Sequence, residues 1–493
     1  MKAAHLALLS AAATLTYGQA TAGPQMQLTA WNSSSKLSPE QIKLGQLSPG
    51  LTSSLEIILN FDRTQLANGG PSQDSFYDLK KDSQNLPPRS AGQVLKLQQF
   101  TDPTPYNIPA ETALSRVIYS STNINGTLVP ASAYVLWPYT PKSSSKLYSE
   151  STLCQKAPVV VWAHGTSGFY ADGSPSAHRS LFYGDIMPFT LAQAGYVVIA
   201  PDYAGLGVET SWDDTFIPHQ YGASEANAAD ALNALRAVRK SFSDRITDEY
   251  VIVGHSQGGA VSWAMSELLE NDRELYQDVE KDYLGTVIFG PGLNPVPAAP
   301  QFFLPLIGKY LNGVFPSFTL SDWLSPLGVS RVDLLNQVQG GQFFGQALFS
   351  NATEVLNPSW SDSWYLDAIT NLTTPGNRPY REPMLLIQGV ADSATNFNIT
   401  LAAFNSTCSK YPGDFQFMAL PGVGHFPAIE ASRSVWLQWI EDRFDKKPVT
   451  AKGCVNSELK SFLPLAQYQP FTKSFFQWSG SPNWTYEVPA GSF

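Results

Sequence analysis

A largely parallel β-sheet covered by helices is the fold this sequence predicts, and three observations carry the prediction. Short, continuous apolar runs rich in β-branched residues recur: APVVVWAHG (157–165), YVVIAPDYAGLG (196–207), YVIVG (250–254), TVIFG (286–290) and MLLIQG (384–389). Such runs suit strands buried on both faces, the mark of a parallel sheet. Helical patterns alternate with them, as crossover connections require. Before the first run, two β-rich arms flank an Asn-Gly pair in SRVIYSSTNINGTLVPASAYVLWP (115–138), which predicts an antiparallel hairpin turning near Asn125-Gly126.

Taken in order, the chain opens with MKAAHLALLSAAATLTYGQA, one lysine and then a largely apolar run from Ala3 to Leu15. The run is too short to span a bilayer and reads as a secretory signal peptide over 1–20, cleaved after Gly18 or Ala20. An N-terminal extension follows over 21–90, in which LTSSLEIILNFDRTQL (51–66) reads as a helix or a strand packed on the outside. GQVLKLQQF (92–100) is a strand, and the stretch 139–156 after the hairpin is a surface linker. MPFTLAQAG (187–195) is a short helix closed by glycine. GASEANAADALNALRAVRKSF (222–242) is an amphipathic helix with Ala228, Ala231, Leu235, Val238 and Phe242 on one face and Ser224 as its cap. A helix runs from Gln257 to near Leu269, a strand over DFQFMAL (414–420), and a last helix from near Ile429 to Phe444.

One interval is too long for a crossover. Between TVIFG and MLLIQG lies the segment 291–380, with QFFLPLIGKYLNGVF, WLSPLG, VDLLNQV and FFGQALF. It reads as an inserted, mainly helical cap whose Phe and Leu residues bury against the ligand-facing end of the sheet. The bland alternative is a decorative surface extension. The core is then 91–290 and 381–445, and 446–493 is a C-terminal extension packed on it.

Composition narrows the function classes. A formal charge of −10 over 493 residues gives no basic footprint for nucleic acid and no cationic stripe for an anionic membrane. No stretch after the leader offers eighteen unbroken apolar residues, so no integral membrane segment is expected and the mature protein is expected to be extracellular. Sequons at Asn32, Asn125, Asn351, Asn371, Asn398, Asn405 and Asn483 agree with a glycosylated exoprotein. Three cysteines, Cys154, Cys408 and Cys454, permit one disulfide and one thiol, with all three pairings open. There is no H-E-x-x-H, dinucleotide fingerprint or phosphate loop, so neither metal nor organic cofactor is expected.

The run EYVIVGHSQGG carries Ser256 from a buried strand straight into a helix. G-x-S-x-G occurs by chance, but this context fits a sharp turn that lifts a nucleophile out of the backbone. An activated serine needs a base, and the base needs an acid to orient it. MLLIQGVAD places Asp392 just past a strand, and FQFMALPGVGH places His425 past the next. Alone, Asp392 could be a turn residue and His425 a structural histidine; together, in the order Ser256, Asp392, His425, they make a catalytic set. Asp414 is a rival acid at the wrong end of its strand. Asp202 precedes the nucleophile and is read as shaping its loop or lining the pocket. His255 flanks the serine without being its base. For an oxyanion, one backbone N–H would come from Gln257 and the other from the loop HGTSG (164–168), with Thr166 preferred and Gly165 second.

HGTSG, YVVIAPDYAGLG, GHSQGG, GVAD and GVGH, in this order, resemble the secretory lipase family of fungi and bacteria within the α/β-hydrolase superfamily, over about residues 90–445. The resemblance implies the α/β-hydrolase fold with an inserted cap, and hydrolysis of a small-molecule or lipid ester by Ser256, Asp392 and His425 through an acyl-enzyme. It implies no cofactor or metal, and at most transient contact with a lipid interface. Gln257 stands where some members have glycine, which alters the pocket wall. Oligomeric state is not fixed by the sequence. Three alternatives stay open: a feruloyl, aryl or natural-product esterase or acyltransferase; a secreted serine peptidase; and a non-catalytic binding module. The peptidase is disfavoured because the cap carries only scattered acids, Asp322, Asp333, Glu354, Asp362 and Asp367.

Overall fold

The centre of the molecule is one ten-stranded sheet. The computed structural model describes residues 33–79, 88–142, 156–293, 296–470, 473–475, 484–485 and 488–489; the leader, Cys154 and the sequons at Asn32 and Asn483 lie outside them. In chain order the strands are β1 (Val94–Gln98), β2 (Thr112–Thr122), β3 (Leu128–Pro138), β4 (Ala157–Ala163), β5 (Val197–Pro201), β6 (Ile246–His255), β7 (Tyr283–Phe289), β8 (Met384–Gly389), β9 (Phe415–Leu420) and β10 (Cys454–Glu458). Their spatial order is β1-β2-β3-β5-β4-β6-β7-β8-β9-β10. The pairs β1–β2, β2–β3 and β3–β5 are antiparallel. Every pairing from β5 across to β10 is parallel. This is the expected α/β-hydrolase arrangement, with its antiparallel start and its inserted helical region.

Strand pleat explains the continuous apolar runs. Val160, Trp162, Val198, Val251, Val253 and Leu385 enter the core on one face; Val159, Val161, Val197, Ile199 and Ile252 enter it on the other. Two helices precede the sheet, α1 (Pro39–Gly45) and α2 (Pro49–Thr64). Next come α3 (Pro188–Gln193), α4 (Ser224–Ser241), α5 (Gln257–Asn271) and α6 (Arg273–Glu280). Ser224 is not the cap of α4: Ala223 holds that position and no side chain caps the helix. Nor is α4 one-sided. It is buried from Ala226 through Leu235, because its alanines let it wedge between the sheet and α5.

The insertion holds α7 (Leu304–Leu311), α8 (Leu320–Trp323), α9 (Pro326–Val338), α10 (Gln342–Leu348), α11 (Ala352–Val355) and α12 (Trp364–Thr373). The segment at 51–66 resolves as α2, and its Leu55 and Leu59 share a core with Leu306, Leu334 and Phe344 of the insertion. Arg331 of α9 donates to the Gly45 carbonyl at 3.0 Å, so the N-terminal helices brace the inserted layer.

The remaining helices are α13 (Phe397–Lys410), α14 (Pro427–Ala431) and α15 (Arg433–Phe444). The single last helix of the sequence reading is thus two. Ser432 donates its hydroxyl to the Ala428 carbonyl at 2.7 Å and the Trp436 indole takes that of Ile429 at 2.9 Å, side-chain bonds that end one helix and start another. Strand β10 is not foreseen either, because CVNSE is a largely exposed edge strand without an apolar signature. Cys408 of α13 is disulfide-bonded to Cys454 of β10. The five described sequon asparagines, Asn125, Asn351, Asn371, Asn398 and Asn405, are all exposed.

Candidate active site

Ser256 sits between β6 and α5 with φ 58° and ψ −120°, a left-handed conformation that L-residues avoid. The glycines around it permit the turn. A Cβ on Gly254 would collide with the Gly258 carbonyl, and one on Gly258 with the carbonyl of Ala163. Gly259 brings α5 so close to β7 that a Cβ there would lie 2.7 Å from the Phe289 carbonyl. Strain of this kind costs about 1–3 kcal/mol and is held only where the surroundings over-determine it.

Asp392 follows β8 and His425 follows β9, and their side chains meet: His425 Nδ1 lies 2.8 Å from Asp392 Oδ2. Both are nearly solvent-free, at 2% and 1% side-chain exposure. The other Asp392 oxygen accepts the backbone N–H groups of Ala394 and Thr395, each at 2.9 Å, and Thr395 Oγ1 donates to Oδ2 at 2.8 Å. Burial pushes this carboxyl up, but His425 and these donors outweigh burial and hold it below the usual carboxylate value. The pair presses against the end of β7, where Gly290 has φ 40° and a Cβ would meet both Asp392 Oδ2 and His425 Nδ1 at 3.1 Å.

His255 is buried beside them, its ring 4.3 Å from that of His425. Burial, and then the neighbouring imidazole, push its pKa well below normal, so it is a neutral wall. Its Nδ1 accepts from the Tyr183 hydroxyl at 3.3 Å. That hydroxyl also receives the Gly165 N–H at 2.5 Å. The Gly165 amide is therefore engaged by a side chain of the protein. Tyr183 reaches this place through three successive left-handed residues, Leu181, Phe182 and Tyr183, at φ 52°, 48° and 39°. Nothing in the local sequence HRSLFYGD announces that turn. Thr166 Oγ1 bonds Tyr221 at 2.8 Å, and Tyr221 stacks on Phe303 of the insertion.

Gln257 opens α5, where the first N–H groups lack helical partners. Its side-chain amide points to Asn227 Oδ1 at 3.2 Å and His219 Nε2 at 3.3 Å. His219 is pushed down to about 3 by burial, so it accepts there while Nδ1–H serves the Ala204 carbonyl at 3.2 Å.

Ser256, His425, Gln257, Gly165 and Thr166 share the lining of a cavity of about 280 Å³, roofed by Val296, Phe303 and Ile307 of the insertion. The other acids stand elsewhere. Asp202 is fully buried and accepts from Ser132, Ser176 Oγ and Ser176 N at 2.6, 2.5 and 2.8 Å, so it shapes its loop. Asp414, at the opposite end of β9, accepts the Gly453 N–H at 2.7 Å. Among the described residues no cluster of three His, Cys, Asp or Glu is suited to a metal ion. The C-terminal segment also touches the site loops: the Lys473 carbonyl accepts the Gly424 N–H at 2.8 Å and its ammonium donates to Ser393 at 2.5 Å.

Residues 160–435 match the family model of the alpha/beta hydrolase family. The chain belongs to that family. No curated protein matches it by sequence. Among solved structures it is similar to lipase A of Candida antarctica, at 16% identity and TM-score 0.58, over 78% of this chain and 88% of that one. It is also similar to the rice cell wall degrading esterase LipA of Xanthomonas oryzae, at 15% identity and TM-score 0.51, over 73% of this chain and all of the other. At these identities the likeness is one of fold.

Proposed function

We propose that this protein is a secreted carboxylic ester hydrolase of the secretory lipase type, working through Ser256, His425 and Asp392. The observation that carries the reading is the strained Ser256 at the mouth of a helix, lining one cavity with His425, whose ring is hydrogen-bonded to the buried Asp392. His425 takes the Ser256 proton as Oγ attacks the acyl carbonyl, while Asp392 fixes the tautomer and stabilises the imidazolium. The amides of Gln257 and Thr166 receive the oxyanion. The protonated histidine gives its proton to the leaving alcohol, and water, deprotonated by the same group, releases the acid.

Esters are favoured over peptides with a free N-terminus by the lining itself. Among the described residues that line the cavity there is no Asp, Glu, Lys or Arg, so no carboxylate waits for an amine. Secretion rests on the leader sequence; among the described residues no helix is long and apolar enough to cross a membrane. Turnover of p-nitrophenyl esters by Ser256→Ala tests the reading. The rate falls by about 10⁴-fold or more with circular dichroism unchanged; retention of a tenth of the parent rate overturns it.

A further inference from the structure

The loop that carries Thr166 is tied to the inserted helices at several points. Just past it, Tyr310 of α7 donates its hydroxyl to the Phe169 carbonyl. The Tyr170 hydroxyl donates to Asn336 Oδ1 of α9 at 2.7 Å, and the Lys309 ammonium lies 3.2 Å from the centre of the Tyr170 ring. Thr166 itself meets the insertion through an intermediary. Its hydroxyl is 2.8 Å from that of Tyr221, a residue of the turn before α4. The Tyr221 ring stacks on Phe303, just before α7, with centres 5.9 Å apart and planes 11° from parallel. It also meets Phe169 edge-on at 5.0 Å. Thr166, Tyr221 and Phe303 all line the cavity that holds Ser256.

This chain of contacts has a direction. Phe303 belongs to the inserted layer, whereas Thr166 follows β4 of the core sheet. Threonine is stiff at χ1, so a bond that fixes its hydroxyl also restrains the backbone from which the hydroxyl projects. A backbone N–H stabilises an oxyanion only when it sits within about 3 Å of where the charge develops. The aromatic stack sets where the Tyr221 hydroxyl lies, because offset stacking is specific in geometry as well as apolar.

We infer that Tyr221 is a positioning residue that couples the seating of the insertion to the oxyanion site: Phe303 orients its ring, and its hydroxyl holds Thr166 in register with Ser256. The insertion then does more than roof the cavity, since the oxyanion site is complete only while Phe303 is in place. The inference rests on the ester-hydrolase reading, with Thr166 as the loop donor, and adds to it a dependence of the chemical step on the cap. An interaction of this kind acts in the transition state and shows in kcat, whereas a cap that only shelters substrate shows in KM.

The test measures kcat and KM for p-nitrophenyl butyrate in the parent, Tyr221→Phe, Phe303→Ala and the double variant. Alongside, it measures inhibition by an alkyl trifluoromethyl ketone, to which Ser256 Oγ adds as its proton passes to His425, leaving a tetrahedral oxyanion. Tyr221→Phe keeps the stack and removes the hydroxyl. It is expected to lower kcat by about tenfold, the worth of one hydrogen bond, with KM nearly unchanged. Affinity for the ketone falls by the same factor. Phe303→Ala lowers kcat in the parent background but leaves it within about twofold in the Tyr221→Phe background, since both act through one hydroxyl. Thr166→Val removes the other end of the bond and repeats the measurement should Tyr221→Phe fail to fold. The inference is overturned if kcat is unchanged, if kcat falls with ketone affinity intact, or if the two substitutions are additive in kcat. Absence of hydrolysis of every ester, with no labelling by a serine-directed phosphonate, overturns the underlying ester-hydrolase reading instead.

Discussion

At Ser256 the backbone is bent into a left-handed turn that only the bare α-carbons of Gly254 and Gly258 make room for. The same economy recurs at Gly290, which lets His425 and Asp392 close onto the end of β7. Tyr183 is the residue-scale feature with the most testable role. Its hydroxyl holds Gly165 and His255 and so positions the loop of Thr166. Tyr183→Phe is expected to lower kcat by about tenfold with KM nearly unchanged, less than the 10²–10³ lost with an oxyanion donor itself. An unchanged kcat would show that the loop holds its shape without the phenol. The candidate serine, acid and base were legible in the sequence because each follows a strand with an unmistakable apolar signature. Tyr183 was not, because a left-handed turn leaves no pattern in local composition.

Elements outside the sheet are tied to it. Asp74, from the N-terminal segment, binds the buried Arg116 of β2 at 2.7 Å. Burial raises the Asp74 carboxyl, but the guanidinium more than reverses this and holds it below the ordinary value. A depressed carboxyl contributes stability that is present above its unfolded pKa of about 3.9 and is lost as pH falls through the folded one. Asp74→Asn is therefore expected to destabilise by about 3 kcal/mol at neutral pH, with the gap to the parent closing as pH falls through the lowered Asp74 value. A pH-independent gap would contradict the ion-pair origin. On α13 the sequons at Asn398 and Asn405 share the solvent face, while Phe404 is 2% exposed. Glycopeptide mapping of the protein expressed in a eukaryotic host is expected to find sugar on one or both; two bare asparagines would contradict it. The spacing of seven made that face readable from sequence, whereas β10, exposed and polar, had nothing to read.

For the molecule as a whole, the sheet brings distant residues to one end and the inserted helices, braced by α1 and α2, roof them. An apolar roof makes acyl length matter: each buried methylene is worth about 0.8 kcal/mol, roughly fourfold in rate. Across p-nitrophenyl esters from about C2 to C16, an optimum between about C4 and C10 is expected from that increment. An acetate optimum with no longer-chain activity would contradict the apolar acyl pocket and leave the Ser256 assignment standing. The parallel core could be foreseen because buried strands are apolar throughout. The cavity's lining could not, since it is assembled from residues between Gly165 and Phe426 that only the folded chain brings together.

The most direct measurement is labelling of the intact protein with a serine-directed phosphonate, followed by peptide mass spectrometry and an ester assay on the same sample. The predicted result is one adduct, on the peptide containing GHSQGG, forming in step with the loss of ester hydrolysis and absent from Ser256→Ala. An adduct on another residue, or full hydrolysis after Ser256 is modified, would contradict the role proposed for this serine.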